Sequence, residues 1–134
     1  MTVPVWVIDT NVLVSAALTS GGNCDRILRG AEEGRTRLAW SAPMLAEYRA
    51  VLLRPKFRFP ASVVESLLST FDVRDQFRPQ ETPELPDPED TVFLGTALAT
   101  DDKILVIGNT AHFPIEICRP VRVLTPAEAV LLLA

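Results

Sequence analysis

Apolar residues fall along the chain in two rhythms. From Val3 to Ile8 they run almost unbroken and rich in β-branched side chains, the pattern of a strand buried on both faces. The run stops at Asp9. Thr10 and Asn11, either of which can cap a helix, lead into a second apolar stretch, Val12–Leu18, which predicts a short helix ended by Ser20-Gly21-Gly22. Asn23 as a cap predicts a helix over Cys24–Glu33, stopped by Gly34. Thr36–Trp40 reads as a second strand. Ser41 and Pro43 open a helix to about Leu53, closed by Arg54-Pro55. After a loop over Lys56–Pro60, Ser62-Val63-Val64-Glu65 has the spacing of a capping box and predicts a helix to about Phe71.

The second half is less even. Asp72–Glu84 has weak periodicity and predicts a short strand at most. Glu81–Asp90, ETPELPDPED, carries five acids, three prolines and no base. Its end, Asp87-Pro88-Glu89-Asp90, places a cap, a proline at the first helical position and two acids in the first turn of a helix reaching about Thr100. Ile104–Ile107 predicts a buried strand ended by Gly108-Asn109. Ile115–Cys118 and Val121–Leu124 predict two short edge strands, and Thr125-Pro126-Ala127-Glu128 is a second capping box opening the last helix. Strands alternating with helices predict one α/β domain over 1–134 with a mostly parallel sheet. The glycines form neither a dinucleotide fingerprint nor a P-loop.

Composition narrows the classes. With 134 residues and 48% hydrophobic content the chain can build one substantial core. No apolar run nears the roughly 20 residues of a membrane helix, and the N-terminus lacks the basic region of a signal peptide. Cys24 and Cys118 stand in no metal-like spacing and predict small packed thiols in a reducing, cytoplasmic setting. Thirteen basic against seventeen acidic residues, a net charge of −4, argue against binding nucleic acid by bulk electrostatics. The same balance suits acids that hold a cation, which then meets the phosphate.

Three acids stand out. Asp9 sits at the carboxyl end of a strand, where open α/β sheets bind their ligands. Asp90 shares a helix face with Phe93, Leu94, Ala97 and Leu98, and Glu47 shares one with Met44, Ala50 and Val51. Each has an ordinary explanation alone: a turn residue, an acid at a helix start, a half-exposed helix position. Together they can converge above one edge of a parallel sheet. A buried carboxylate needs a partner, and Arg49 points to another face. Clustered carboxylates without a set of His or Cys ligands suit Mg²⁺ or Mn²⁺ and phosphodiester chemistry.

These residues resemble the PIN-domain nucleases and, within them, the VapC-like toxins of toxin–antitoxin pairs. The resemblance rests on Ile8-Asp9-Thr10-Asn11-Val12-Leu13, on Ser41 through Tyr48, on Asp87-Pro88-Glu89-Asp90 with Phe93-Leu94 and Ala97-Leu98, and on Ile107-Gly108-Asn109 followed by His112-Phe113-Pro114. It implies a three-layer α/β/α sandwich and a Mg²⁺- or Mn²⁺-dependent endoribonuclease. Asp9, Glu47 and Asp90 match the family's metal-binding acids, and Thr10, Asn11 and Ser41 are implied to orient the acids or a water. A protein antitoxin and a homodimer are further implications. Where many members have a fourth acid this chain has Asn109, whose amide oxygen can ligate a hard cation but brings no charge.

Arg54, Lys56 and Arg58, interleaved with Phe57 and Phe59, form the best stretch for touching RNA, although a solvated loop with two packed phenylalanines is the more ordinary explanation. His112, the single histidine, reads as structural, and Trp6 and Trp40 as core. A second reading, motivated by Asn109 and the negative charge, is a catalytically weak binding module that keeps the fold and acts through RNA or a protein partner. A dehalogenase-like phosphatase ranks last, because that chemistry wants a second acid where Asn11 stands.

Overall fold

The apolar run near the N-terminus becomes the inner strand β1 (Val5–Ile8) in the computed structural model, which describes residues 3–133. It pairs in parallel with β2 (Arg37–Leu38) on one side and β3 (Ile104–Val106) on the other, and β4 (Arg122–Leu124) joins β3, also in parallel. The order is β2-β1-β3-β4. Trp6, Val7 and Ile8 are fully buried, as expected of a strand covered on both faces. Parallel neighbours need crossovers, supplied by α1 (Thr10–Leu18) and α2 (Asn23–Glu32) before β2, by α3 (Ala42–Leu52), α4 (Ala61–Leu68) and α5 (Thr91–Ala99) before β3, and by α6 (Ile115–Cys118) before β4. The chain ends in α7 (Pro126–Val130).

The crossover from β1 to β2 runs one way along the sheet and those from β2 to β3 and from β3 to β4 run the other, so right-handed connections put their helices on opposite faces, which gives the α/β sandwich expected from the sequence. The direction reverses between β1 and β3, so the crevice of the sheet opens at their carboxyl ends. Asp9 follows β1 there, and Gly108 lies two residues beyond β3. No helix among the described residues is long and apolar enough to cross a membrane.

Several predicted elements differ in detail. Ile115–Cys118 is helical rather than an edge strand: Pro114 starts the turn and Cys118 N–H donates to the Pro114 carbonyl. Strand Val121–Leu124 survives as β4. Asn23 lies inside α2, whose cap is Gly22. The Ser62–Glu65 capping box does not form, since α4 begins from Pro60 and Glu65 is drawn instead to Arg49, at 2.9 Å. The Thr125–Glu128 box does form.

Asp72–Glu84 contains a 3-10 turn, Val73–Asp75, and a single bridge between Trp40 and Gln76. This segment is nonetheless tied to the sheet. Trp40 N–H donates to the Asp75 carbonyl, Phe77 N–H to the Trp40 carbonyl, and the buried Asp75 carboxylate pairs with Arg37 of β2. A buried acid whose charge is met in this way holds two segments in register. Trp6 is in the core as expected, whereas Trp40 is half-buried and donates from its indole to the Asp72 carbonyl. Both cysteines are free, Cys118 buried and Cys24 half-buried.

Gly95 lets α5 meet the segment before it. Its carbonyl accepts from Gln80 N–H at 3.0 Å, and a Cβ here would stand 2.5 Å from the Gln80 carbonyl oxygen. Backbone cannot move aside as a side-chain tip can, so Gly95→Ala should destabilise the fold by about 1–3 kcal/mol, the usual range for overpacking. Urea unfolding of parent and variant measures this; an unchanged midpoint would show that α5 and residues 79–80 separate freely.

Candidate metal centre

Asp9 is placed by backbone groups of β3, of α1 and of the loop after β3. Its N–H donates to the Val106 carbonyl at 3.0 Å, continuing the β1–β3 ladder one residue past β1. Its Oδ1 accepts from Val12 N–H at 3.0 Å, which caps α1, and its Oδ2 accepts from Gly108 N–H at 3.1 Å. The residue is 5% exposed. Burial raises its pKa above the ordinary carboxylate value, and the backbone N–H groups and His112 oppose that rise. Each oxygen keeps further lone pairs for a cation.

Glu47 comes from α3. The buried Tyr48 beside it donates from its hydroxyl to the Ile8 carbonyl, at the very end of β1, and so pins this turn of α3 next to Asp9. Burial, then the Asp9 and Glu47 charges, push the Tyr48 phenol well above its ordinary pKa, so it stays a donor. Thr10 Oγ1 donates to Glu47 Oε2. The two-residue step from Asp9 to Asn11 thus turns one hydroxyl toward the next acid.

Asp87 caps and Asp90 ends a 3-10 turn, Pro88–Asp90, that leads into α5. Asp87 Oδ1 accepts from Glu89 N–H at 3.0 Å. Asp90 Oδ2 is shielded from solvent and has no hydrogen-bond partner, although His112 Nδ1 lies 3.2 Å away. Burial first, then the Asp87 charge, and less strongly Asp9 and Glu47, push the Asp90 pKa up to about 6, while His112 pulls it down. His112 ends the 3-10 turn Thr110–His112.

Asp9, Thr10, Asn11, Glu47, Asp87, Asp90 and His112 line one cleft of about 180 Å³, together with Val51 and Arg54. A larger hollow of about 510 Å³, beside Pro43, Val73 and Phe77, has no acid in its wall. The three acids expected from the sequence therefore share a site. Thr10, Asn11 and Arg54 join them. Ser41 does not: it is fully buried, its hydroxyl hydrogen-bonded to that of Thr96 at 2.9 Å, and it ties the start of α3 to α5. Asn109 lies outside the cleft wall, with its Oδ1 accepting from Ala111 N–H at 3.0 Å. Lys56 and Arg58 are exposed and also stand outside it, while Phe57 and Phe59 stack on each other at 5.8 Å.

Sequence reasoning missed two members of the cleft. Along the chain Asp87 has the look of a helix cap, yet its spacing of three from Asp90 turns both carboxylates to one side of a helical turn. His112 gave no such signal, since 22 residues separate it from Asp90 and the fold alone joins them. Converging carboxylates, one of them with an orphaned buried oxygen, fit a divalent cation.

Residues 5–111 match the family model described as PIN domain. Neither a curated protein nor a solved structure matches the chain.

The raised Asp90 pKa has a stability consequence. With about 6 in the folded chain against 3.8 as the ordinary value, the native state binds more protons between those limits. Its stability should then rise as pH falls from about 7 toward 4 through this group. Asp90→Asn, neutral throughout, should remove that part of the slope and raise the melting temperature at pH 7 in the presence of EDTA. Melting curves of parent and variant from pH 4.5 to 7.5 decide it; parallel profiles would mean that Asp90 is relaxed and solvated.

Proposed function

Because the chain belongs to the PIN-domain family, we propose that its acidic cleft is the catalytic centre of a Mg²⁺- or Mn²⁺-dependent endoribonuclease, the toxin of a toxin–antitoxin pair. The observation that carries this reading is the convergence of Asp9, Glu47 and Asp90 at the carboxyl ends of β1 and β3. These acids would hold the cation, with Asn109 a further oxygen donor if its turn opens. Such a cation, when bound, lowers the pKa of a water and neutralises charge on the phosphate.

The protein's own groups then have distinct tasks. Asp9 is held rigidly by its two N–H donors, which keeps one carboxylate fixed while substrate enters. Thr10 orients Glu47 through its hydroxyl, and Asn11 lies at the rim with a free amide for a phosphate oxygen or a water. Arg54 is the basic side chain of the cleft wall, placed to meet a non-bridging phosphate oxygen as the backbone crosses. Lys56 and Arg58 follow it on an exposed turn and extend that track for the flanking phosphates. RNA rather than DNA, the antitoxin and a homodimer rest on the resemblance in motif order.

Tag-free protein incubated with a panel of structured and single-stranded RNAs plus Mn²⁺ should cleave internally, and EDTA should stop it. Asp9→Asn should lower the rate by at least ~10²-fold, the scale of losing a preorganised catalytic charge. Arg54→Ala should act mainly on KM by weakening phosphate contact, with a shallower salt dependence. Metal-independent cleavage, or full activity of Asp9→Asn, would overturn the proposal.

A further inference from the structure

Asp87, Asp90 and His112 each offer one ligand atom, and these atoms lie within 4.8 Å of one another. We propose that they form a cation position with a nitrogen ligand, which selects Mn²⁺ and the later divalent metals over Mg²⁺. It shares Asp90 with the proposed catalytic centre but does not depend on RNA cleavage.

The contact between His112 and Asp90 carries the inference. Nδ1 and Oδ2 stand 3.2 Å apart, close enough for a hydrogen bond, yet the oxygen receives none. An imidazolium paired with this carboxylate would aim its N–H along that line. Two lone pairs that converge on one ion have the other geometry. Ligand bonds of about 2.1 Å at right angles leave their atoms about 3 Å apart, with neither pointing at the other. Nδ1 as ligand leaves the proton on Nε2, the neutral tautomer that binds metals.

The remaining groups fit the same arrangement. Asp87 spends Oδ1 on the Glu89 N–H and keeps its other oxygen for the cleft. Asn109 caps the turn that carries His112, and Phe113 next to it is buried, so the imidazole is held over the acids from behind. The His112 side chain is 41% exposed, which gives an ion and its waters a way in. Mg²⁺ prefers oxygen and gives up water reluctantly, whereas Mn²⁺, Co²⁺ and Ni²⁺ gain from an imidazole.

Because His112 is the chain's one histidine, a nitrogen signal from a bound metal has an unambiguous source. The test is pulsed electron paramagnetic resonance of the tag-free protein with one equivalent of Mn²⁺, without RNA. Imidazole ¹⁴N modulation is expected in the parent and is expected to vanish in His112→Ala. Calorimetry should show Mn²⁺ bound at least about tenfold more tightly than Mg²⁺, with the ratio falling to about two- to threefold in His112→Ala, while Asp87→Asn weakens both ions and keeps the preference. Mn²⁺ bound with water and carboxylate couplings alone, or no binding at millimolar metal, would overturn the inference. The parent spectrum decides even where a variant does not fold. Nitrogen-coupled Mn²⁺ in a protein that cuts no RNA would leave the site standing and remove the nuclease reading; cleavage with an all-oxygen Mn²⁺ would do the reverse.

Discussion

A single buried carboxylate holds the ends of three elements together. Asp9 takes an N–H from the first turn of α1 and another from Gly108 beyond β3, while its own N–H extends the ladder to Val106. Placing a charge at such depth is costly unless its oxygens are met, and the backbone meets both. The same strand end receives the Tyr48 hydroxyl from α3. Central strand, first helix, third helix and the loop after β3 thus share one corner. The remaining groups of the cleft are placed relative to that corner, which is why an acid at position 47 and one at position 9 can act on the same ligand.

The fold was legible where a residue's environment is decided locally or by a long apolar run. The unbroken stretch to Ile8, the prolines that open α3 and the turn before α5, the Asp87 cap of that turn and the Thr125–Glu128 box all behave as their chemistry dictates. It was illegible where two segments compete for one group. Glu65 was available to cap its own helix, but the Arg49 guanidinium on the neighbouring helix offers it a bidentate partner. Ile115–Cys118 has the β-branched look of a strand, and Pro114 ahead of it and Pro120 behind leave room for one helical turn. In the cleft, acids on strand ends and helix starts were readable from position. His112 was not, because nothing along the chain connects a 3-10 turn after β3 to a carboxylate ahead of α5. Ser41, which only the resemblance implies in the site, is buried by the packing of α3 on α5 and bonded to Thr96, a long-range contact that its place at a helix start does not reveal.

The charge balance of the cleft follows from the same architecture. Four carboxylates from three separate parts of the chain face one arginine and one imidazole across a small volume. Their mutual repulsion is a standing cost, tolerable because the strand, the capped turns and the pinned helix leave the acids no way to splay. A rigid frame of this kind keeps them close in advance, so that a cation does not have to gather them.

Gly108 shows how narrow the tolerances are at that corner. Its N–H serves Asp9, and a Cβ on it would stand 3.1 Å from Cβ of Asn11. Positions 11 and 108, nearly a hundred residues apart in sequence, therefore occupy one small space between them. In evolutionary terms they form a linked pair: a side chain becomes acceptable at 108 more readily in a chain that already carries glycine at position 11, where the Cβ it would meet is gone. The effects of such changes will not add, and the order in which they arise decides whether the lineage passes through a functional intermediate.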